Sequence, residues 1–567
     1  MMKAKTTASM TLCAAMLFGA ASFVQTTSGQ TITPGQTTAA DTPSADSDIA
    51  KLKAQLAEQQ KQLDALKAAM EEQRKLIDKA STTTTPDTFA LPRNKALGDV
   101  ASTTPILPAV APVAPVVSSQ AGNAVPPSPL QLKIGDAYIT PVGFMDFTSV
   151  YRSHALGSGI GTNFAGITYG NVYQNHLSEE RLSMQNSRIG FRVDALVHDA
   201  HVIGYMEADF LGNNAANVAV TSNSNTLRSR LYWVDLRKGD WELLGGQTWS
   251  LMTPGRSNIS PLPGDIFYSQ DMDVNYQAGL VWGRIPELRV VGHFADNKVN
   301  LALALDQSEV YVGGTNGSGT IAAPSTLSST YVGGELNNGT NTLASPGGAF
   351  PDFIAKLSFD PVSQFHLEVG GLVRDLRVYN PTTNNHFTQA AGGGFVNGNF
   401  TLFPGFHLIE NLYWSSGGGR YIFGSAPDVA IRPDGSLSEI HSGSTVDGFE
   451  WTIHNTMVFA YYGGDYISKN VILDTTAKTP ALIGWGYTGS ANTQNRAIQE
   501  ATFGFNQTIW KDAKYGALNF IGQYSYLTRN PWYVAAGAST DANVNMLFLD
   551  LRYTLPGSAP TLGAPAR

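Results

Sequence analysis

Between residues 187 and 194 the chain reads Ser-Arg-Ile-Gly-Phe-Arg-Val-Asp, with Ile189, Phe191 and Val193 on one face and Arg188, Arg192 and Asp194 on the other. The next segment repeats the alternation: Val202, Gly204, Met206, Ala208 and Phe210 against Tyr205, Glu207 and Asp209. Farther on, Val299, Leu301, Leu303 and Leu305 share one side. Near the end, Leu547, Leu549, Leu551 and Tyr553 oppose Asp550, Arg552 and Thr554. A period of two marks β-strands with one apolar face. Charge on the opposite face needs water.

Connection lengths decide what these strands build. Short turns are expected near 197–201, 237–240, 295–298, 361–364, 403–406, 454–455 and 511–514. Longer stretches separate them at 154–181, 212–226, 251–285, 307–351, 378–387, 417–444, 467–492 and 530–540. Seven short turns alternating with eight longer loops predict an all-β fold, a sixteen-stranded antiparallel transmembrane barrel over 131–555. Short turns on one rim and long loops on the other characterise outer-membrane barrels, whereas soluble sandwiches connect mostly by short loops. An even number of strands leaves both chain ends on the short-turn, periplasmic side. A lumen of this size is too wide for side chains to fill and is expected to hold water. Alternation aims Arg188, Arg192, Glu207, Asp209, Arg228, Arg230, Arg289, Arg374 and Arg552 into it. The 251–285 loop is the candidate constriction, with Arg256, Asp265, Asp271, Asp273 and Arg284 as a mixed-sign eyelet.

The N-terminal part has a different pattern. Residues 1–24 read as a signal peptide, Lys3 and Lys5 preceding an apolar run, with cleavage between 21 and 29. The only cysteine, Cys13, lies inside it. Ile49, Leu52, Leu56, Gln59, Leu63, Leu66, Met70, Gln73 and Ile77 alternate spacings of three and four, an α-helical coiled-coil seam over 46–79. This stalk is expected in the periplasm. Residues 80–130 form a Pro/Thr/Ala-rich linker with nine prolines from Pro86 to Pro129.

Short motifs along the strands resemble those of Gram-negative general porins. They are Ser187-Arg188-Ile189-Gly190-Phe191, Glu207-Ala208-Asp209-Phe210, Leu227-Arg228-Ser229-Arg230 and Gly245-Gly246-Gln247-Thr248-Trp249. With the coiled coil and proline-rich linker ahead of them, the chain resembles DcaP-like trimeric porins over most of 40–555. The resemblance implies a sixteen-stranded homotrimer that passes small, often anionic, solutes. Such barrels usually end on an aromatic residue; here Pro556 to Arg567 follow the last strand as a tail.

Composition narrows the function further. Charged residues are 14% of the chain and hydrophobic ones 43%, which excludes a disordered protein. After residue 24 no apolar run is long enough for a membrane helix. A net charge of -8 gives no support for nucleic-acid binding. No nucleophile elbow, zinc-protease helix or P-loop occurs, so neither an enzyme nor a cofactor is expected. Gly157-Ser158-Gly159-Ile160-Gly161 lies in a loop without strand–helix context, and His198 with His201 is too few for a metal site. Trp233, Trp249, Trp282, Trp414, Trp451, Trp510 and Trp532 fit interfacial girdles better than a sugar path. The lumen arginines form either a ladder for carboxylate or phosphate groups or a set of wall-bracing ion pairs. Two functions follow: a passive diffusion porin of the outer membrane, or a structural anchor tethering the envelope, through peptidoglycan contacts of the stalk.

Overall fold

The computed structural model describes residues 129–556 except 213–224, 264–265, 267–269, 315–316, 328–349, 381–382, 424 and 541, together with Lys53, Ala57 and Lys61. Those three residues are helical and exposed. The rest of the expected stalk, the signal peptide, the linker and the tail from 557 lie outside the described residues. Residues Met1–Thr88 and Phe89–Arg567 form separate units, and the barrel belongs to the second.

Strand β1 is Ala137–Arg152, β2 is Glu179–Ser183 continued by Arg188–Val197, and β3 is Ala200–Asp209. Then come β4 (Arg228–Lys238), β5 (Trp241–Trp249), β6 (Arg284–Phe294) and β7 (Val299–Asp306). The middle of the wall is β8 (Asp352–Val362), β9 (Phe365–Asn380), β10 (Asn385–Phe403) and β11 (Phe406–Ser416). It finishes with β12 (His441–Ile453), β13 (Thr456–Ile467), β14 (Asn495–Asp512), β15 (Gly516–Pro531) and β16 (Ala542–Thr554). Each pairs antiparallel with the next, and β16 returns to β1 from Phe144↔Thr554 to Arg152↔Met546. The hydrogen-bonded sheet has eighteen strands; one is the stub Leu132–Ile134 and two are the halves of β2, leaving sixteen crossings in a closed barrel.

The seven short turns fall where alternation stops, at 198–199, 239–240, 295–298, 363–364, 404–405, 454–455 and 513–515. His454 takes φ 55° and Gly405 φ 81°, left-handed conformations that let two strands reverse within two residues. One connection needs correction: the expected 378–387 loop shrinks to 381–384, because β9 and β10 stay paired up to Asn380↔Asn385. The break in β2 has a local cause as well. Three residues of β1, Met145–Phe147, oppose four of β2, Met184–Ser187. Asn186 and Ser187 bond Asp146 instead of continuing the ladder: the Asp146 amide donates to Ser187 Oγ at 2.9 Å, and Asn186 Nδ2 to the Asp146 carboxylate at 2.6 Å. Below it Gly143 has φ +139°, and a Cβ there would meet Arg188 O at 2.2 Å.

Outside, the wall is an apolar belt. Leu301, Leu303 and Leu305 on β7 are 44%, 42% and 40% exposed, and Ile189, Met206, Val234, Leu288, Leu547 and Leu549 continue the band. Near the short-turn rim, Phe403 stacks on Phe406 at 4.7 Å and Phe406 on Phe449 at 5.5 Å, with Trp451 beside them. This is an interfacial aromatic girdle, and the wall is a lipid-facing surface. One polar interruption stands out: Glu410 and Asp447 are cross-strand partners on the outward face, one step beyond the Leu408↔Phe449 pair.

Inside, a long connection occupies part of the lumen. The 250–283 connection turns inward. Its Leu262, Ile266, Tyr276 and Leu280 join Tyr205, Trp233, Ile409, Val446, Phe459 and Tyr461 of the wall in one apolar cluster. At this level protein narrows the bore.

Candidate functional site: a loop-filled lumen and its arginines

The inward loop is held by wall groups on several sides. Gly255 N donates to both carboxylate oxygens of Glu368 (3.2 and 3.1 Å), and Lys356 Nζ donates to Thr253 O at 2.8 Å. Arg256 makes a two-pronged bond to Glu450, 3.0 and 2.9 Å, and Tyr461 donates to the same carboxylate at 2.8 Å. Farther along, Gln270 N donates to Tyr461 Oη and Ala278 N to Glu500, both at 2.9 Å. The loop therefore bridges β8 and β9 to β12, β13 and β14. These donors and acceptors are buried, and each bond satisfies a group that water no longer reaches.

Among the described residues, Arg256 and Asp273 of the expected eyelet bind different partners. Arg256 points to β12, while Asp273 accepts amide hydrogens from Thr162 (3.1 Å) and Asn275 (2.9 Å). Burial raises Asp273 above the usual carboxylate value. Asp271 is partly exposed in the loop, Asp265 lies outside the described residues, and Arg284 is the first residue of β6 rather than part of the loop.

Wall arginines fall into two groups. Arg192 pairs with Asp194 (2.8 Å), Arg289 with Glu287 (2.7 Å), Arg374 with Asp352 (3.0 Å) and Asp428 (2.8 Å), and Arg552 with Asp146 (2.6 Å). These pairs are scattered around the barrel; Arg374–Asp352 and Arg552–Asp146 join adjacent strands, whereas Arg192–Asp194 and Arg289–Glu287 lie within one strand. The second group is gathered. Arg228 forks onto Asp209 with bonds of 3.0 and 2.8 Å. Arg230 donates to Glu207 at 2.6 Å and to Asp209 at 2.7 Å. A register shift between Glu207 and Ala208, opposite β4, puts both carboxylates within reach of Arg230. Arg188 lies 3.7 Å from Glu207. Arg228 and Arg230 are thus paired, the bracing arrangement, rather than free.

Above these groups stands an aromatic triad. Trp249, Tyr276 and Trp282 contact one another with ring centroids 5.4–6.1 Å apart. Tyr276 Oη takes hydrogen bonds from Arg230 (3.2 Å) and Arg188 (3.4 Å). Burial alone would raise the Tyr276 hydroxyl, but the Arg188, Arg230 and Arg284 guanidiniums outweigh it and hold its pKa below the usual phenol value. Counting side chains, Arg188, Arg228, Arg230 and Arg284 face two carboxylates, Glu207 and Asp209, so the cluster is net cationic.

Alternation along the strands locates the arginines but not their partners. Glu368, Lys356 and Glu450 carry the same inward signal; Tyr276 had none beyond membership of a long loop, and Trp282, with Trp233 and Trp249, packs inside the barrel rather than in the expected interfacial girdle.

No family model and no curated protein matches the chain. Among solved structures, the outer membrane channel DcaP of Acinetobacter baumannii matches at 15% identity and a TM-score of 0.53, covering 74% of this chain and 98% of that one. An anion-selective porin from Comamonas acidovorans matches at 12% identity and a TM-score of 0.41, covering 74% and 99%. Pseudomonas putida OprB matches at 11% identity and 0.39, covering 73% and 94%. The fold is that of the Gram-negative outer-membrane porins. The resemblance to DcaP-like barrels seen in the strand motifs is met at the level of fold.

Proposed function

We propose that this protein is an outer-membrane porin through which small hydrophilic solutes, anions among them, diffuse passively along a bore narrowed by the 250–283 loop. One observation carries the proposal: a closed barrel with an apolar belt outside and a charged lining inside. A lining of guanidiniums focuses its field on whatever passes, and the net-cationic cluster at Arg230 and Arg284 supports a preference for anions. Planar-bilayer recording of the detergent-extracted protein tests it. Discrete conductance steps, smaller than an unobstructed sixteen-stranded bore gives, are expected. An inserted barrel without steps would leave the structural anchor as its role.

The assembly we propose is a homotrimer, with residues 46–79 as a periplasmic coil reached through the 80–130 linker after loss of the signal peptide. The heptad seam supports it. So does the outward Glu410–Asp447 pair, beside Gly398 on β10, since carboxyl groups facing lipid are costly and favour a protein neighbour. Native mass measurement decides, and a sole monomer refutes the trimer.

A further inference from the structure

Among the described arginines of the lumen cluster, Arg284 is different. Arg188, Arg228 and Arg230 each donate to a carboxylate or to Tyr276 Oη. Among the described residues Arg284 has no ion pair and no hydrogen bond, and its Nη1 is buried without an acceptor. Its guanidinium carbon lies 5.6 Å from the Trp249 ring and 5.8 Å from the Trp282 ring. The Trp282 indole Nε1 is also a buried donor without an acceptor. Arg230 approaches the same Trp249 ring at 5.8 Å.

A guanidinium pressed against aromatic faces gains cation–π attraction, yet that does not replace the hydrogen bonds it gave up to water. Buried donors without acceptors ask for a group the polypeptide does not supply. Here the two donors belong to residues two apart in sequence and in contact. One carries a full positive charge, and further guanidiniums stand beyond the shared indole. An acceptor that joins them must be small enough for the lumen and is favoured if it is negative. The indole N–H and guanidinium also discriminate against cations, which can accept no hydrogen bond.

We infer that Arg284 and Trp282 form an oxyanion seat in the bore, taking a carboxylate, phosphate or sulfate group between Nη1 and the indole N–H. The inference rests on the proposed pore for its role, and deepens it. Selectivity then resides in Arg284, which is uncompensated, rather than in Arg228 and Arg230, which are bound to Glu207 and Asp209. The rings fix the guanidinium plane, so an oxyanion is met by a preset donor rather than by a flexible one. Rapid transit requires the seat to be weak, with occupancy in the millimolar range.

The test uses the full-length protein and two substitutions. Arg284→Gln keeps an amide donor but drops the charge; Trp282→Phe keeps a ring but removes the N–H. Chloride current is recorded in bilayers while sodium phosphate, sulfate or acetate is added separately. The wild type is expected to show concentration-dependent block by at least one of them, and comparison of the three separates phosphate, sulfate and carboxylate preference. The half-blocking concentration should rise about tenfold in Arg284→Gln, the scale of one charge-assisted bond, and by a smaller factor in Trp282→Phe. Under a salt gradient, the reversal potential of Arg284→Gln should move toward cations. If both variants conduct and block as the wild type does, the seat is refuted while the pore stands. If the wild type does not conduct at all, the pore fails instead. Tryptophan-fluorescence titration of the folded protein with the same salts then judges the seat: a phosphate-, sulfate- or acetate-dependent change lost in Arg284→Gln supports it, and an identical response or none in both proteins overturns it.

Discussion

Removing the Arg256 side chain should loosen one end of the inward loop and leave the other in place. Arg256 binds Glu450 through two nitrogens, and the exposed fractions of the two side chains are 15% and 0%. In Arg256→Ala the Glu450 carboxylate stays buried with Tyr461, at 2.8 Å, as its remaining donor. Breaking a buried pair from one side costs roughly 3–5 kcal/mol; the partial exposure of Arg256 places this case near the lower end, about 3 kcal/mol. At about 1.4 kcal/mol per tenfold, that is roughly a hundredfold shift in the docking equilibrium of the loop tip. Gly255 N, bound to Glu368, and Asn258 N, bound to Asp360, report on the tip. Met272 N and Ala278 N, bound to Gln523 and Glu500, report on the far end. Amide exchange in detergent should quicken about a hundredfold at Gly255 and Asn258 and stay unchanged at Met272 and Ala278, as expected for opening confined to one segment. The double change Arg256→Ala with Glu450→Gln should recover most of the protection, since no buried charge is then left alone. Unaltered exchange at the tip, or equal acceleration along the whole loop, would refute this account of how the loop is held.

Further expectations concern the wall and the cluster. Arg230→Ala leaves Asp209 with Arg228 alone and Glu207 with Tyr205 and the more distant Arg188, and should lower barrel stability by about 1–3 kcal/mol, read as an earlier urea midpoint of the heat-modifiable gel band. Gly143→Ala puts a methyl group against Arg188 O in a left-handed backbone, so folding yield into detergent should drop sharply. Leu303→Arg, on the lipid face, should destabilise the inserted barrel by about 2–4 kcal/mol if it lies near mid-bilayer; no loss would move β7 out of the membrane. Tyr276 should ionise at lower pH than an ordinary tyrosine. The difference in 295 nm absorbance between wild type and Tyr276→Phe measures this, and Arg284→Gln should move the transition to higher pH.

The wall was legible in the sequence because alternation is a local signal. Every short turn ends one alternating run and begins another, and Leu301, Leu303 and Leu305 announce their face without reference to any partner. The misjudged 378–387 connection shows where that signal fails. Asn380, Asn385 and Thr388 break the apolar–polar alternation, although Val378 and Asn380 are buried, so paired β-structure there resembles a loop. Ion pairing failed for a different reason. Arg230 is the extra residue of a bulge in β4 opposite Glu207 and Ala208, and alternation along one strand does not show which partner residues a bulge brings into reach. The inward course of the 250–283 loop was suggested by length, whereas its attachment to Glu368, Glu450 and Glu500 depends on side chains up to more than two hundred positions away.

The seam between β1 and β16 makes assembly an all-or-nothing event. Asp146 and Arg552, which clasp across it, are separated by 406 positions, so loop-closure entropy is spent over nearly the whole barrel before this contact forms. Until the final strand arrives, β1 and β15 both display bare edges, each a template for pairing with a foreign strand. A chain cut short within β16 is therefore not a slightly weaker channel. It is an open sheet with an apolar face, and its fate is aggregation or degradation rather than insertion.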